Sequence, residues 1–234
     1  MSTFVLVHGA WHGGWCWDRL VPELERRGHS AVAVDLPTTR DAGDTGLAAG
    51  AQLVGAAVPD RDTVLVGHSM GALLLPVVAA QRDVRHLVFL NAFVTAPGES
   101  MNEVVDREGD VFAPGWPERA RRQERLGGGA SAWPPDAAID AFFHDCTPED
   151  GTWAAARLRP QSWAALADRC PVDAWPDVPS TYVLSRDDRV VNPAWSRRVA
   201  REVLAVEPVE LDGGHSPFLS QPAALAAVLA ELAG

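Results

Sequence analysis

Gly67-His68-Ser69-Met70-Gly71 sets a serine between two glycines, each two residues away. An apolar, β-branched run over residues 63–66 leads into it, and an apolar helical pattern over residues 70–80 leads out. A strand, a tight turn and a helix in that order force the serine into strained backbone geometry, with its hydroxyl above the sheet. Small residues are needed two positions before and two after. A serine hydroxyl is a weak nucleophile at neutral pH and needs a base within hydrogen-bond reach. His215 is the candidate base, in Leu211-Asp212-Gly213-Gly214-His215-Ser216-Pro217, where the glycines let a loop carry an imidazole over the sheet. An acid must in turn fix the tautomer of that imidazole. Two aspartates compete, Asp187 and Asp188, in the loop after the strand at residues 181–185. Asp188 is preferred, because Ser185 and Val191 frame it at three residues on either side, and Asp187 becomes its solvated neighbour. His8-Gly9-Ala10 follows the first strand. The amides of Ala10 and of Met70, the residue after the nucleophile, are the candidate donors to a developing oxyanion. The side chain of His8 is expected to be structural. These parts suit acyl transfer at a carbonyl.

The other histidines offer less. His29 and His86 flank strands, His144 lies in a region without strands, His12 belongs to the segment after the first strand, and His68 is expected to point away from Ser69.

The elements that must position these residues alternate along the chain. Short apolar runs at residues 4–7, 31–35, 63–66, 86–90, 181–185 and 207–211 read as strands. Helical patterns at 17–27, 47–58, 70–80, 194–204 and 223–232 follow them. That alternation predicts an α/β fold, a mostly parallel sheet with helices on both faces. Residues 95–179 break the rhythm. They show no clear strand and hold five of the nine tryptophans, together with Gly127-Gly128-Gly129. This stretch reads as a helical cap over the carboxyl ends of the strands, where open α/β sheets place their ligands. The core is then residues 1–94 and 180–234, and the triple glycine is expected to be a hinge or a loose loop. Trp11, Trp116, Trp133, Phe142, Phe143, Trp153 and Trp163 are candidates to line a substrate pocket, with packing within the cap as the competing role. Arg159-Pro160-Gln161 is a further candidate for orienting a polar substrate group.

Composition narrows the field. The chain has 234 residues and a net charge of −11, which disfavours a nucleic-acid partner. Cys16, Cys146 and Cys170 are odd in number and widely spaced, which argues against a disulfide framework or a structural zinc site. No basic leader precedes the first strand, and no apolar run approaches a membrane span. A cytoplasmic setting without a membrane partner is the expectation. A homodimer is compatible with the pattern, although no signature of one is readable.

The run VLVHGAWHGGWCW at residues 5–17, GHSMGA at 67–72 and GGHSPFLSQP at 213–222 carry a family likeness. The chain resembles the α/β-hydrolase superfamily, and more narrowly the branch of plant hydroxynitrile lyases, plant methylesterases and small bacterial esterases. The likeness is strong over residues 3–94 and 180–234 and weaker across the cap. It implies a Ser69–Asp188–His215 triad that works with no metal and no organic cofactor on a small ester or lactone. The lyases carry a threonine after the first-strand histidine and a lysine after the catalytic one, and this sequence has Gly9 and Ser216 there. That departure favours an esterase. A C–C bond hydrolase or lyase, a biosynthetic cyclase and a catalytically silent small-molecule receptor remain compatible with the motifs. An epoxide or haloalkane hydrolase would need an aspartate where Ser69 stands.

Overall fold

The computed structural model describes residues 1–39, 46–59 and 61–233. Six parallel strands make the sheet: β1 (Thr3–Val7), β2 (Ser30–Val34), β3 (Thr63–His68), β4 (His86–Leu90), β8 (Ser180–Ser185) and β9 (Val209–Leu211). Their order is β2-β1-β3-β4-β8-β9. All six residues of β3 are buried. Successive side chains of a strand point to opposite faces, so both faces of the sheet are covered. The covering helices are α1 (Leu20–Arg26) packed with α10 (Pro222–Leu232), α2 (Leu47–Ala57) packed with α3 (Leu75–Ala79), and α9 (Pro193–Glu202) against β8.

The sequence reading differs from the structure at several ends. The expected helix at 17–27 is a 3-10 turn over Gly14–Trp17 followed by α1. The expected helix at 70–80 begins as a 3-10 turn over Ser69–Leu74, ahead of α3. The last strand starts at Val209 rather than at residue 207, just after Pro208, which has no amide hydrogen to give a ladder.

Between β4 and β8 the chain leaves the sheet. It forms α4 (Met101–Glu108), α5 (Trp116–Ala120), α6 (Pro135–Phe142), α7 (Pro148–Ala155) and α8 (Ala164–Ala167). It also forms a small antiparallel sheet of β5 (Glu124–Arg125), β6 (Ala130–Ala132) and β7 (Gln161–Ser162). The region expected to be helical is therefore mixed. Its strands are two or three residues long, too short to show a period of two. Gly127–Gly129 is the turn joining β5 to β6. Gly128 and Gly129 there have φ of 70° and 74°, left-handed values that the hairpin turn uses. Ser100 opens α4 with a capping box to Glu103, and Gly109 closes it in the left-handed region. The three cysteines are free thiols, with Cys16 and Cys170 buried. Among the described residues no helix is long and apolar enough to cross a membrane.

Candidate active site

β3 ends at His68, and the chain turns at once into the 3-10 turn that starts with Ser69. Ser69 has φ 51°, a left-handed conformation that a residue with a β-carbon adopts at a cost. The flanking glycines permit the turn. A β-carbon at Gly67 would stand 2.6 Å from Ala72 Cα, and one at Gly71 would collide with the His8 carbonyl oxygen. The segment after β1 is pressed equally close, since a β-carbon at Gly9 would lie 2.8 Å from Ser69 Cβ.

His215 follows β9 on its glycine loop. Its Nδ1 lies 2.8 Å from Asp188 Oδ2, and both side chains are buried. Asp188 Oδ1 accepts from the amides of Val190 (2.7 Å) and Val191 (3.2 Å), so the carboxylate is fixed before it meets the imidazole. An ionised carboxylate only accepts hydrogen bonds. Nδ1 therefore carries the proton, and Nε2 keeps a lone pair. Asp187 is exposed and bonds through its amide to the Gly213 carbonyl, which ties the acid loop to the base loop.

Two side chains outside the expected triad, His68 and Asn91, hold this pair. The His215 carbonyl accepts from His68 Nε2 at 3.0 Å and from Asn91 Nδ2 at 3.1 Å. Asn91 also accepts from the Ser185 amide at 2.7 Å and donates to Ser185 Oγ at 3.0 Å, so it joins the end of β4 to the end of β8. It sits at φ 43°, a conformation asparagine tolerates better than most residues. The signal for Asn91 was its place just past a strand, at the sheet edge where ligands bind. His68 faces His215 with ring centroids 4.6 Å apart, and so does not point away from the site. Burial drives its pKa well below the ordinary value, with the neighbouring histidines adding to the effect. It serves as a neutral donor.

His8 and His12 shape the segment after β1. His8 Nδ1 donates to the Gly9 carbonyl at 2.8 Å, and its Nε2 accepts from the Leu36 amide at 3.0 Å. His12 Nδ1 donates to the Ala10 carbonyl at 2.7 Å. Burial pushes His8 down to about 4 and His12 down to about 3, so both are neutral near pH 7. Fixing the Gly9 carbonyl orients the Ala10 amide, because the C=O and N–H of a trans peptide point in opposite directions. Met70 follows Ser69 in the first turn of the elbow, where amides lack acceptors within the helix.

Aromatic rings roof the site. Trp11 (φ 61°) meets Trp163 at 4.8 Å, Phe142 at 5.5 Å and Trp133 at 5.6 Å between centroids. Trp116 lies 5.7 Å from Trp133, and Phe142 lies 6.0 Å from His215. Five of the seven pocket candidates thus come together, and Phe143 packs beside them, 6.0 Å from Phe142 and 5.8 Å from His12. Trp153 does not join them. It packs on Trp15 at 5.4 Å with Arg157 4.2 Å over its ring, and reaches the site only through Trp15 and His12. Arg159 is held by protein groups. Its guanidinium is committed to Asp35 (3.0 and 3.1 Å) and to the carbonyls of His12 and Leu36. The roof closes the site, leaving Ser69 5% and His215 2% exposed. Among the described residues no cluster of His, Cys, Asp or Glu could hold a metal ion.

A parallel sheet with a strained serine after β3 and a buried His–Asp pair after β9 and β8 defines a fold class that comparison identifies. The family model described as the alpha/beta hydrolase family matches residues 4–228, and the chain belongs to that family. It is 27% identical to salicylic acid-binding protein 2 of Nicotiana tabacum, over 98% of this chain and 96% of that protein. It is 28% identical to methylesterase 18 of Arabidopsis thaliana (94% and 92%) and 28% identical to the pyrethroid hydrolase of Sphingobium wenxiniae (100% and 88%). The crystal structure of polyneuridine aldehyde esterase superposes with a TM-score of 0.84 at 22% identity, over the whole of both chains.

Proposed function

We propose that this protein is a serine hydrolase that cleaves a small carboxylic ester or lactone through an acyl-enzyme. The observation that carries the proposal is the buried 2.8 Å contact of His215 Nδ1 with Asp188 Oδ2, at the sheet edge where Ser69 sits at φ 51°. Relatives called methylesterase and pyrethroid hydrolase support a hydrolytic reading.

In this mechanism His215 Nε2 takes the Ser69 proton as Oγ attacks the carbonyl carbon. The Ala10 and Met70 amides receive the oxyanion, which removes a few kcal/mol of barrier per donor. Asp188 stabilises the imidazolium without taking its proton. His215 then protonates the departing alkoxide, and a water repeats the sequence on the acyl-enzyme. The position after the base carries Ser216, whose buried hydroxyl has no partner among the described residues. It supplies no cation for a cyanide leaving group, which favours ester cleavage over the lyase reaction.

The test is turnover of p-nitrophenyl acetate and butyrate by wild type and Ser69→Ala, with mass spectrometry after a fluorophosphonate probe. The expected result is turnover and one adduct at Ser69, both lost in the variant. A folded wild type with neither turnover nor adduct overturns the proposal.

A further inference from the structure

Beside the elbow, on the side away from His215, lies a cavity of about 30 Å³. Its walls are Leu36, Leu47, Gly50 and Leu74, and it abuts Gly9 and Met70. The two polar side chains it touches are His8 and Gln161, and both are already engaged. His8 uses both ring nitrogens on backbone groups. Gln161 accepts from the Trp11 amide at 3.1 Å and donates to the Ser162 carbonyl at 2.8 Å. Among the described residues the walls therefore offer an occupant mainly apolar contact. The space holds about two water molecules, or a hydrocarbon chain of about two to four carbons. It is closely packed where α2 meets the elbow: a β-carbon at Gly50 would stand 3.0 Å from both methyl groups of Leu74.

The sheet order says which half of an ester goes there. β1 and β2 lie to one side of β3, and β4, β8 and β9 to the other. Asp188 and His215 come from the β8–β9 side. The cavity lies on the β1–β2 side, between the end of β2 and α2. His215 must protonate the leaving oxygen, so the alcohol half faces the imidazole. The carbonyl oxygen faces the amides of Ala10 and Met70. The substituent left to face the cavity is the acyl group.

We infer that this cavity is the acyl pocket, and that the substrates are esters of compact, apolar acyl groups of about two to four carbons. The inference rests on the serine-hydrolase reading above. It places size selection on the acyl half and leaves the alcohol half to the aromatic roof.

The experiment holds the leaving group constant and varies the acyl chain. p-Nitrophenyl acetate, butyrate, hexanoate and octanoate are assayed with wild type, Leu47→Ala and Leu74→Ala, with circular dichroism and Tm as folding checks. For wild type, kcat/KM is expected to fall at least tenfold from butyrate to octanoate. In whichever widened variant folds, the octanoate-to-acetate ratio rises at least tenfold. A second series of acetates with alcohols of increasing size should keep the same profile in wild type and variant. Wild-type turnover that is flat from acetate to octanoate overturns the acyl-pocket assignment and leaves the hydrolase reading standing. So does a widened variant that shifts the alcohol profile instead of the acyl one. Absence of turnover and of a Ser69 adduct with every ester overturns both.

Discussion

Asp145, on the loop that leaves α6, accepts a hydrogen bond from the Gly214 amide at 2.8 Å, one residue ahead of His215. The fit around it is close. A β-carbon at Gly214 would lie 2.8 Å from Asp145 Oδ1 and would overlap His144 Cε1. A second tie runs nearby, where Arg189, next to Asp188, donates to Asp140 Oδ1 of α6 at 2.7 Å. The segment inserted between β4 and β8 thus grips both the acid loop and the base loop.

Loss of the Asp145 acceptor should therefore reach the chemistry. A hydrogen bond to a charged group is worth about 1.5–3 kcal/mol. Asp145→Ala is expected to lower kcat by about tenfold to a hundredfold, whereas Asp145→Asn keeps an acceptor for Gly214 and most of the activity. Steady-state kinetics alongside Tm distinguish this from plain destabilisation. Equal kcat in the two variants would remove the positioning role.

Asp188→Asn should leave the fold in place and cost activity heavily. An amide cannot reliably hold the Nδ1–H tautomer, and comparable changes in triads cost about 10⁴-fold in kcat. Fluorophosphonate labelling of Ser69 should slow in parallel. Retention of more than a tenth of wild-type kcat would show that Asp188 is not the acid.

Asn91→Ala removes the bonds to the Ser185 amide and to the His215 carbonyl together, and places alanine at φ 43°. The expected loss of stability is about 2–4 kcal/mol, from unsatisfied buried groups plus left-handed strain. Asn91→Gly loses the same bonds but relieves the strain, so it should fall between wild type and Asn91→Ala in chemical denaturation.

Acid should unfold the protein through its buried histidines. His8, His12 and His68 have pKa values depressed by burial, to about 4 for His8 and about 3 for His12. Between those values and the ordinary value of 6.5, the unfolded chain binds more protons than the folded one. Stability is thus fully present above pH 6.5 and falls as pH drops toward 4, by up to about 1.4 kcal/mol per pH unit for each imidazole. Denaturation midpoints measured from pH 7.5 to 4.5 should show that slope, and His12→Phe should reduce it. A flat profile would mean that these rings titrate in the folded protein as they do in the unfolded chain.

The strands of the main sheet were readable as short apolar runs, most clearly β3, whose six residues are all buried as a central strand covered on both faces requires. The serine elbow and the histidine loop were readable because glycine spacing records local backbone demands. Asn91 and Asp145 were not. Their partners Ser185 and Gly214 lie 94 and 69 residues away in the chain, and only tertiary folding brings them together. The pair Asp187 and Asp188 shows the intermediate case. Spacing narrowed the choice to two neighbours, and burial separates them, one exposed and one packed against His215.

The aromatic roof has a consequence for how molecules get in. Aromatic side chains bury about 150–250 Å² each. At about 25 cal/mol per Å², wetting half of one ring costs about 2–3 kcal/mol. An opening that wets Trp11, Trp133 and Phe142 to that extent would be populated in fewer than about one molecule in 10⁴. Bulk water alone does not offset that cost. A solute whose own apolar surface replaces the lost ring contacts does, so the roof works as a sieve that sorts molecules by oiliness before any bond is made or broken.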